Sequence, residues 1–224
     1  MMRAAVVGAT GLVGRSLVEE LLASPRIERI DVLARRELRL ASDRVRCHVV
    51  DFDRLETTPS ARDALSATAV FCCLGTTLKQ AGSQAAFRKV DHDYPLAAAR
   101  LALAAGARQL LTVTAAGADA NSAFFYNRVK GELEAALREL AFPDGITLAH
   151  PSLLLGEREA PRPAERIASV FMRAARPLFS GPLLRYRAIT ATQVARALVT
   201  AACEPTTGVR ILEGESLFAY AARS

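Results

Sequence analysis

Three glycines within seven residues, near the start of the chain, constrain the fold more than any other feature. They directly follow an apolar strand pattern at 3–7 and open a helical pattern at 12–23. In this context the first glycine permits a tight turn, the second lets the backbone approach a pyrophosphate, and the third lets helix and strand pack closely. The pattern therefore predicts a Rossmann-type unit that binds a dinucleotide. The residues expected to hold it are Gly8, Thr10, Gly11, Leu12, Val13 and Gly14.

Strand-like and helix-like patterns alternate along most of the remaining chain, as in a parallel sheet with crossover helices. Further strands are predicted at 29–34, 44–50, 68–74, 109–114 and 146–150. Further helices are predicted at 60–66, 84–105 and 124–141. The predicted fold class is therefore α/β, a Rossmann doubly wound parallel sheet, formed by a single domain that spans 1–224.

The pattern changes after Pro151, where a loop rich in charge and proline begins. Helices are predicted at 164–176 and 190–203, with a short strand at 208–213. We interpret 151–224 as a small C-terminal cap on the substrate side of the domain. Five arginines of this region are either solvated or recognise an anionic group. They are Arg158, Arg162, Arg166, Arg185 and Arg187.

Two arginines follow the second predicted strand, where dinucleotide-binding proteins select between NAD and NADP. A protein that selects NAD usually has Asp or Glu about 20 residues after the glycines, on the ribose 2′-hydroxyl. Here the strand at 29–34 is followed by Arg35 and Arg36. A charge-assisted contact to a 2′-phosphate contributes roughly 1.5–3 kcal/mol, enough to set the preference. The pair therefore favours NADP(H), and Glu37 nearby would weaken that preference. The alternative is that both arginines are simply solvated.

Residues at the ends of two later strands are further candidates for cofactor contact, because ligands of open α/β sheets lie at the carboxyl ends of the strands. Asp51 and Phe52 follow the third strand. Either the carboxylate accepts from the adenine amine and the ring offers a face, or the two form an ordinary strand-to-loop junction. Leu74, Gly75 and Thr76 end the fourth strand, and Gly75 would allow close approach of the cofactor backbone.

A Tyr-x-x-x-Lys pair is the candidate catalytic feature. Tyr126 and Lys130 are four residues apart in the helix predicted at 124–141, so both side chains lie on one face. A lysine cation about 5 Å from a phenol contributes roughly 3 kcal/mol at an effective dielectric of about 20, or about two pKa units. We therefore expect the pKa of Tyr126 to fall from about 10 toward about 8, a useful value for a general acid or base. The alternative is an exposed tyrosine packed on a lysine stem.

Composition and charge limit the classes of partner. The formal net charge is +6, but the basic residues are scattered without aromatic interleaving, which argues against nucleic-acid binding. No run of about 18 uncharged apolar residues occurs, so no membrane span is expected. The four cysteines lack metal-ligand spacing, so no metal is expected. Because no leader-like apolar block precedes the first strand, we predict a cytoplasmic protein.

The glycine turn and the Tyr-x-x-x-Lys pair, in this order, resemble the short-chain dehydrogenase/reductase superfamily. The resemblance is strongest for its atypical branch, the HIV Tat-interactive protein-like NAD(P)-binding proteins, and it covers nearly the whole chain. The segments that carry it are Gly8–Gly14, Arg35–Arg36, Val50–Phe52, Cys73–Thr77, Val90–Tyr94, Gly117–Asp119 and Tyr126–Glu134.

The resemblance implies an NADP(H)-binding Rossmann domain with Tyr126 and Lys130 at the nicotinamide end. It also implies that Pro151, Ser152 and Leu153 line the nicotinamide. Long helices commonly pair across dimers in this superfamily, and the branch is named for protein interaction. A homodimer and a protein partner are therefore among the expectations.

One departure from the superfamily pattern concerns the hydroxyl that polarises the substrate carbonyl. The resemblance places a serine at the end of the fifth strand, where this chain has Thr114, twelve residues before Tyr126. Ser122 is the other candidate, one turn before the tyrosine. A hydroxyl is available at both positions, and the sequence leaves the choice open.

Three functions fit these features. The leading hypothesis is an NADP(H)-dependent oxidoreductase acting on an unknown carbonyl or alcohol. In it Tyr126 transfers a proton, Lys130 tunes the tyrosine and holds the ribose, and Thr114 orients the substrate oxygen. A second hypothesis is an NADPH-sensing or protein-interaction module without turnover. A third is a nucleotide-sugar epimerase, which shares the fold and the Tyr–Lys pair but needs a roomy cap, for which 151–224 is short.

Overall fold

A parallel β-sheet with helices on both faces forms the body of the protein. The computed structural model describes residues 1–38, 42–152, 154–155, 187–204 and 206–223. The strands are β1 (Met2–Val7), β2 (Ile27–Ala34), β3 (Val45–Val49), β4 (Ala69–Cys72), β5 (Gln109–Val113), β6 (Ile146–His150), β7 (Leu154–Leu155), β8 (Ile189–Thr190) and β9 (Val209–Glu213). The α-helices are α1 (Leu12–Ala23), α2 (Pro59–Leu65), α3 (Leu78–Ala81), α4 (Gln84–Arg88), α5 (Tyr94–Ala104), α6 (Phe125–Arg138), α7 (Ala191–Ala202) and α8 (Gly214–Ala221).

Seven of these strands form one sheet in the order β3-β2-β1-β4-β5-β6-β9, and every neighbouring pair is parallel. This confirms the predicted doubly wound Rossmann fold. The strand order reverses between β1 and β4, which places the ends of these two strands at the position where open α/β sheets bind ligands. The short strands β7 and β8 pair separately.

Alternating side chains along the strands belong to two hydrophobic cores, one on each face of the sheet. Val6 of β1 packs with Leu17 of α1 and Val194 of α7, whereas Val7 packs on the opposite side with Leu133 of α6. Burial on both faces explains why the central strands are nearly continuous apolar runs. Among the described residues, no helix has the length and apolar character needed to cross a bilayer.

The helix predicted at 84–105 is divided. It consists of α4, a π-helical turn at Lys89–Asp93 and then α5. Pro95 lies at the start of α5 and has no N–H to donate to the preceding turn, so the hydrogen-bond register changes there. Because π-helical turns are frequent at functional sites, this segment is of interest for the site below.

The C-terminal region is more integrated than predicted. The described parts of 151–224 belong largely to the main domain, because β9 joins the sheet beside β6 and α7 packs on α1. Leu212 of β9 is buried in the same core as Val6. The contribution of 151–224 to a small substrate-side cap stays a prediction. The rest of the predicted cap, including the helix predicted at 164–176, lies outside the described residues.

Candidate nucleotide-binding and active site

The turn between β1 and α1 has no room for side chains at two of its glycines. Gly8 has φ +89°, and a Cβ there would lie 2.7 Å from the carbonyl carbon of Cys73. A Cβ on Gly14 would lie 2.1 Å from the carbonyl oxygen of Gly8. Both distances are far below ordinary van der Waals contact. The turn is therefore pressed against the end of β4, and the first turn of α1 is pressed against the turn itself.

The N-terminus of α1 is suited to an anion. Gly11 is its N-cap residue, no side chain caps the helix, and its first turn contains no acidic residue. Thr10 and Gly11 are exposed, so the backbone at this helix end is accessible. The N–H groups of a first helical turn and the positive end of the helix dipole together favour a phosphate group. The turn therefore fits the diphosphate of a dinucleotide.

Arg35 and Arg36 are both exposed directly after β2. Because β2 pairs with β1, with Leu33 opposite Val7, the two arginines follow a strand end that neighbours the glycine turn. This is the place where a dinucleotide lying on the turn would have its adenosine ribose.

Asp51 and Phe52 differ in their availability to a ligand. Asp51 is exposed, and its carboxylate accepts a hydrogen bond from the backbone N–H of Asp53 at 2.9 Å. Phe52 instead lies in the core and packs against the ring of Tyr94 at a centroid distance of 5.4 Å. Phe52 is thus largely buried against Tyr94, and a contact of its ring with the adenine stays a prediction beside the alternative of a strand-to-loop junction.

Lys130 forms a buried ion pair that links three parts of the chain. Its Nζ lies 2.7 Å from Oδ1 of Asp91, and the two side chains are only 4% and 1% exposed. The other carboxylate oxygen of Asp91 accepts a 2.8 Å hydrogen bond from the backbone N–H of Thr76. A Cβ on Gly75 would lie 3.5 Å from Asp91 Oδ1. The pair therefore connects α6, the π-helical turn and the loop that carries Leu74, Gly75 and Thr76.

Sequence reasoning did not identify Asp91 as a functional residue, although it lies within a segment that carries the family resemblance. Arg88, Lys89 and Asp93 nearby are also charged, so nothing in the local pattern marks Asp91 as a buried carboxylate. Burial raises the pKa of Asp91, whereas the Lys130 charge and the Thr76 N–H lower it.

Tyr126 lies at the surface beside this ion pair. Its side chain is 38% exposed, and its ring packs against Phe87 at 5.6 Å. Partial burial raises the pKa of Tyr126, Lys130 lowers it, and Asp91 raises it again. The expected fall of this pKa toward 8 is therefore wrong. The main reason is that burial of the phenol raises its pKa by more than the Lys130 charge lowers it, and the Asp91 charge raises it further.

The two candidate hydroxyls lie in different surroundings. Thr114 is buried, and its Oγ1 donates a 2.5 Å hydrogen bond to Oε1 of Glu134. Ser122 lies in the loop before α6, where its Oγ accepts from the backbone N–H of Phe124 at 3.2 Å. The structure thus joins Thr114 to Glu134 rather than to the Tyr126–Lys130 pair.

The segment after β6 is only partly described. Pro151 is buried, and its carbonyl accepts from the N–H of Ala116 at 3.2 Å. The hydroxyl of Ser152 donates a 2.5 Å hydrogen bond to the carbonyl of Arg187. Leu153, the third residue expected to line the nicotinamide, lies outside the described residues.

A second buried polar cluster joins the ends of β5 and β6 to α6. Glu134 accepts hydrogen bonds from Thr114 at 2.5 Å and from Arg138 at 3.0 Å, and its Oε1 lies 2.7 Å from Nε2 of His150. His150 was not among the candidate residues predicted from the sequence. Burial lowers the pKa of His150, but the neighbouring Glu134 and then Glu213 carboxylates outweigh burial and raise it overall. His150 is therefore held in its charged form more readily than a free histidine.

The comparisons with known proteins agree with this architecture. The model of the NAD(P)H-binding family matches residues 8–142. The protein HTATIP2 of Rattus norvegicus is 37% identical over 169 residues, which cover 74% of this chain and 68% of that protein. The mitochondrial protein FMP52 of Coccidioides immitis is 36% identical, over 97% of this chain and 95% of its own length.

Among solved structures, the human epimerase family protein SDR39U1 with NADPH has a TM-score of 0.64 and 17% identity. The match covers 95% of this chain and 74% of that one. At this identity the likeness shows the fold, and it says nothing about epimerisation by this chain.

The names of the fungal relatives contradict the predicted cytoplasmic location. Proteins 35% and 36% identical to this chain are named as mitochondrial. The prediction rested on the lack of an apolar secretory leader. That criterion does not address mitochondrial targeting, for which segments are amphipathic and rich in arginine.

Proposed function

Because the chain belongs to the NAD(P)H-binding family, within the HTATIP2-like branch of the short-chain dehydrogenase/reductase proteins, we propose that it is an NADP(H)-dependent oxidoreductase. Its substrate would be a carbonyl or alcohol compound. The observation that carries the proposal is the buried Lys130–Asp91 pair at the switch point of the sheet, one helical turn from Tyr126. When bound, the dinucleotide supplies or accepts the hydride, and the residues of this chain hold it and move the proton.

The proposed cofactor lies along the carboxyl edge of the sheet. Its diphosphate would bind the N-terminus of α1, and its 2′-phosphate would bind Arg35 and Arg36. Gly75 leaves space beside the buried ion pair for the nicotinamide end. Pro151 and Ser152 after β6 are the proposed residues on the far side of the nicotinamide, together with Leu153.

Lys130 is the proposed residue that holds the nicotinamide ribose. A lysine ammonium has three N–H donors, and the ammonium is held as an ion pair with its Nζ 2.7 Å from Asp91 Oδ1. The remaining donors are suited to ribose hydroxyls. Asp91 keeps the ammonium in place, since a buried lysine without a carboxylate would lose its charge more readily.

Tyr126 is the proposed proton donor. Because its pKa is raised, the phenol is protonated at neutral pH. A protonated phenol can give its proton to a carbonyl oxygen as hydride arrives at the carbon. The exposed fraction of its side chain leaves it accessible to a substrate.

The test compares NADPH consumption with a panel of aldehydes, ketones and quinones in the full-length protein and in Tyr126→Phe. General acid catalysis by a positioned side chain contributes about 10²–10⁴-fold. We therefore expect Tyr126→Phe to lose at least about 100-fold in kcat/KM without a change in the Kd for NADPH. Tyr220→Phe, in which the altered ring stacks on Arg223, is the matched control and should retain full activity.

One observation favours a second candidate function, an NADPH-sensing or protein-interaction module. Thr114 stands where the family resemblance places the catalytic serine, but its hydroxyl is bonded to Glu134. A site without a free hydroxyl at this position would bind the cofactor and turn over slowly. NADPH binding combined with no consumption above that of Tyr126→Phe would favour the sensor and contradict the oxidoreductase.

A further inference from the structure

Three side chains near the end of β3 form a polar cluster that the proposed oxidoreductase mechanism does not use. The phenol of Tyr94 donates a 2.8 Å hydrogen bond to Oδ1 of Asp53. Nζ of Lys89 lies 2.6 Å from the same oxygen and 5.8 Å from the centre of the Tyr94 ring. We refer to Asp53, Lys89 and Tyr94 as the Asp53 clamp. It joins the 3₁₀-helical segment Phe52–Thr57 to the π-helical turn and the start of α5.

The residue whose position depends on the Asp53 clamp is Asp51. It directly follows Val50, whose N–H donates to the carbonyl of Ala34 at 2.9 Å, so the chain leaves β3 beside the point where Arg35 follows β2. The Asp51 side chain is exposed, and its Oδ1 accepts from the N–H of Asp53. Its Oδ2 has no partner among the residues that the structure describes. An ionised carboxylate oxygen of this kind can accept a hydrogen bond from the amine of a ligand.

The Asp53 clamp holds Asp51 through the two residues that follow it. Phe52 is buried, and its ring packs on Tyr94 at a centroid distance of 5.4 Å. Asp53 is held by the Tyr94 phenol and the Lys89 ammonium, and its own N–H orients the Asp51 carboxylate at 2.9 Å. Tyr94 therefore contacts both residues that fix the direction of the Asp51 side chain.

Charge gives the Asp53 clamp a second effect. The Lys89 ammonium and then the Tyr94 hydroxyl hold the pKa of Asp53 below its ordinary value, so this carboxylate is ionised at neutral pH. Two carboxylates two positions apart would together repel the phosphate groups of a dinucleotide. The Lys89 charge offsets one of them and leaves Asp51 as the acceptor.

From this geometry we propose that Asp53, Lys89 and Tyr94 are positioning residues for adenine recognition, which direct the free oxygen of Asp51 toward the exocyclic amine of the base. The inference rests on the proposed dinucleotide site but not on redox turnover. The π-helical turn then supports both ends of the cofactor. Lys89 binds the loop on the adenine side, and Asp91, two residues later, binds Lys130 on the nicotinamide side.

The experiment measures two Kd values by calorimetry on the full-length protein, for NADPH and for its hypoxanthine analogue. In the analogue a carbonyl oxygen replaces the exocyclic amine, so it cannot donate to Asp51. The native protein should therefore bind NADPH at least about tenfold more tightly than the analogue, because a hydrogen bond to a charged group is lost. Asp51→Ala should bring the ratio of the two Kd values close to one.

Tyr94→Phe tests the Asp53 clamp itself, since it keeps the ring against Phe52 and removes only the hydroxyl. We expect the ratio of the two Kd values to fall severalfold. Tyr220→Phe, which alters a phenol on α8, is the matched control and should leave the ratio unchanged. Lys89→Met should also reduce the ratio, whereas Arg100→Met, which removes one charge from an exposed position on α5, should not.

The ratio separates positioning from a merely structural role, because a general loss of stability weakens both coenzymes alike. Equal weakening in Tyr94→Phe with an unchanged ratio would overturn the proposal. Equal Kd values for the two coenzymes in the native protein would also overturn it and would leave the dinucleotide site itself standing. No heat with either coenzyme would contradict the proposed cofactor, and this inference with it.

Discussion

The two ends of the candidate site are built from different parts of the polypeptide. At the glycine turn the structure offers backbone groups to a ligand, because the helix end is uncapped and two glycines leave no room for a Cβ. At the other end it offers buried charged side chains, in the pairs Lys130–Asp91 and His150–Glu134. The three glycines of the first arrangement lie within seven residues of the sequence. The second brings together elements that are distant in the sequence, so each end should respond differently to substitution.

The largest expected effect is at the buried ion pair. Asp91→Ala leaves the Lys130 ammonium buried without its carboxylate, and breaking such a pair costs about 3–5 kcal/mol in the free energy of unfolding. Asp53 provides the matched control, because it pairs with Lys89 at 2.6 Å on the surface, where about half of each side chain is exposed. Asp53→Ala should change the stability little. Urea unfolding of both variants measures the difference.

The double variant Asp91→Ala/Lys130→Met sharpens this prediction. It removes both charges, so part of the lost stability should return. If the stability lost in the double variant equals the sum of the losses in the two single variants, the two side chains are not coupled. The distinction between the two ends of the site would then fail.

A smaller effect is expected at the glycine turn. Gly8 and Gly82 both have positive φ, +89° and +80°, but a Cβ meets backbone atoms only at Gly8, and nothing lies within 4 Å at Gly82. Gly82→Ala should cost about 1–2 kcal/mol from the left-handed backbone alone. Gly8→Ala adds an overpacking cost of roughly 1–3 kcal/mol. Similar unfolding midpoints for the two variants would show that the turn is not pressed against β4.

The smallest effect is a dependence of stability on pH. The pKa of His150 is raised, so its contribution is present in full below its ordinary value of about 6.5 and is lost as the pH rises through the folded value. The pKa of Glu134 is lowered by His150 and Thr114 against the effect of burial, so its contribution is present above about 4.5 and is lost as the pH falls through the folded value.

The advantage of the native protein over His150→Gln, measured by urea unfolding, should therefore be larger at mildly acidic pH than at alkaline pH. An advantage that grows as the pH rises would contradict the sign of this coupling.

The sequence predicted the parts of the molecule that are encoded locally. The helix predicted at 12–23 has those limits in the structure, and each of the predicted sheet strands is present within a few residues. Both follow from hydrophobic period and from glycine placement. The prediction that Tyr126 and Lys130 lie on one face of the same helix also depends only on local spacing.

What the sequence did not predict requires knowledge of which elements meet. Asp91 pairs with Lys130 because the π-helical turn packs against α6, and that packing is not visible in the local sequence. The predicted fall in the pKa of Tyr126 was wrong because tertiary packing buries the phenol and places Asp91 beside Lys130. The packing of Phe52 could not be predicted because its partner, Tyr94, lies 42 positions later in the chain. The helix at Gly214–Ala221 was missed because its glycine start is typical of a turn.

Calorimetry with NADPH and NADH, on the native protein and on Arg35→Ala/Arg36→Ala, tests the central claim most directly. We expect the native protein to bind NADPH more tightly than NADH. The double variant should lose about 10- to 150-fold in affinity for NADPH per phosphate contact removed. It should lose little affinity for NADH, because only NADPH carries the 2′-phosphate. Arg46→Ala, an exposed arginine on β3, controls for net charge. No heat with either coenzyme, or equal losses for both in the double variant, would contradict the account.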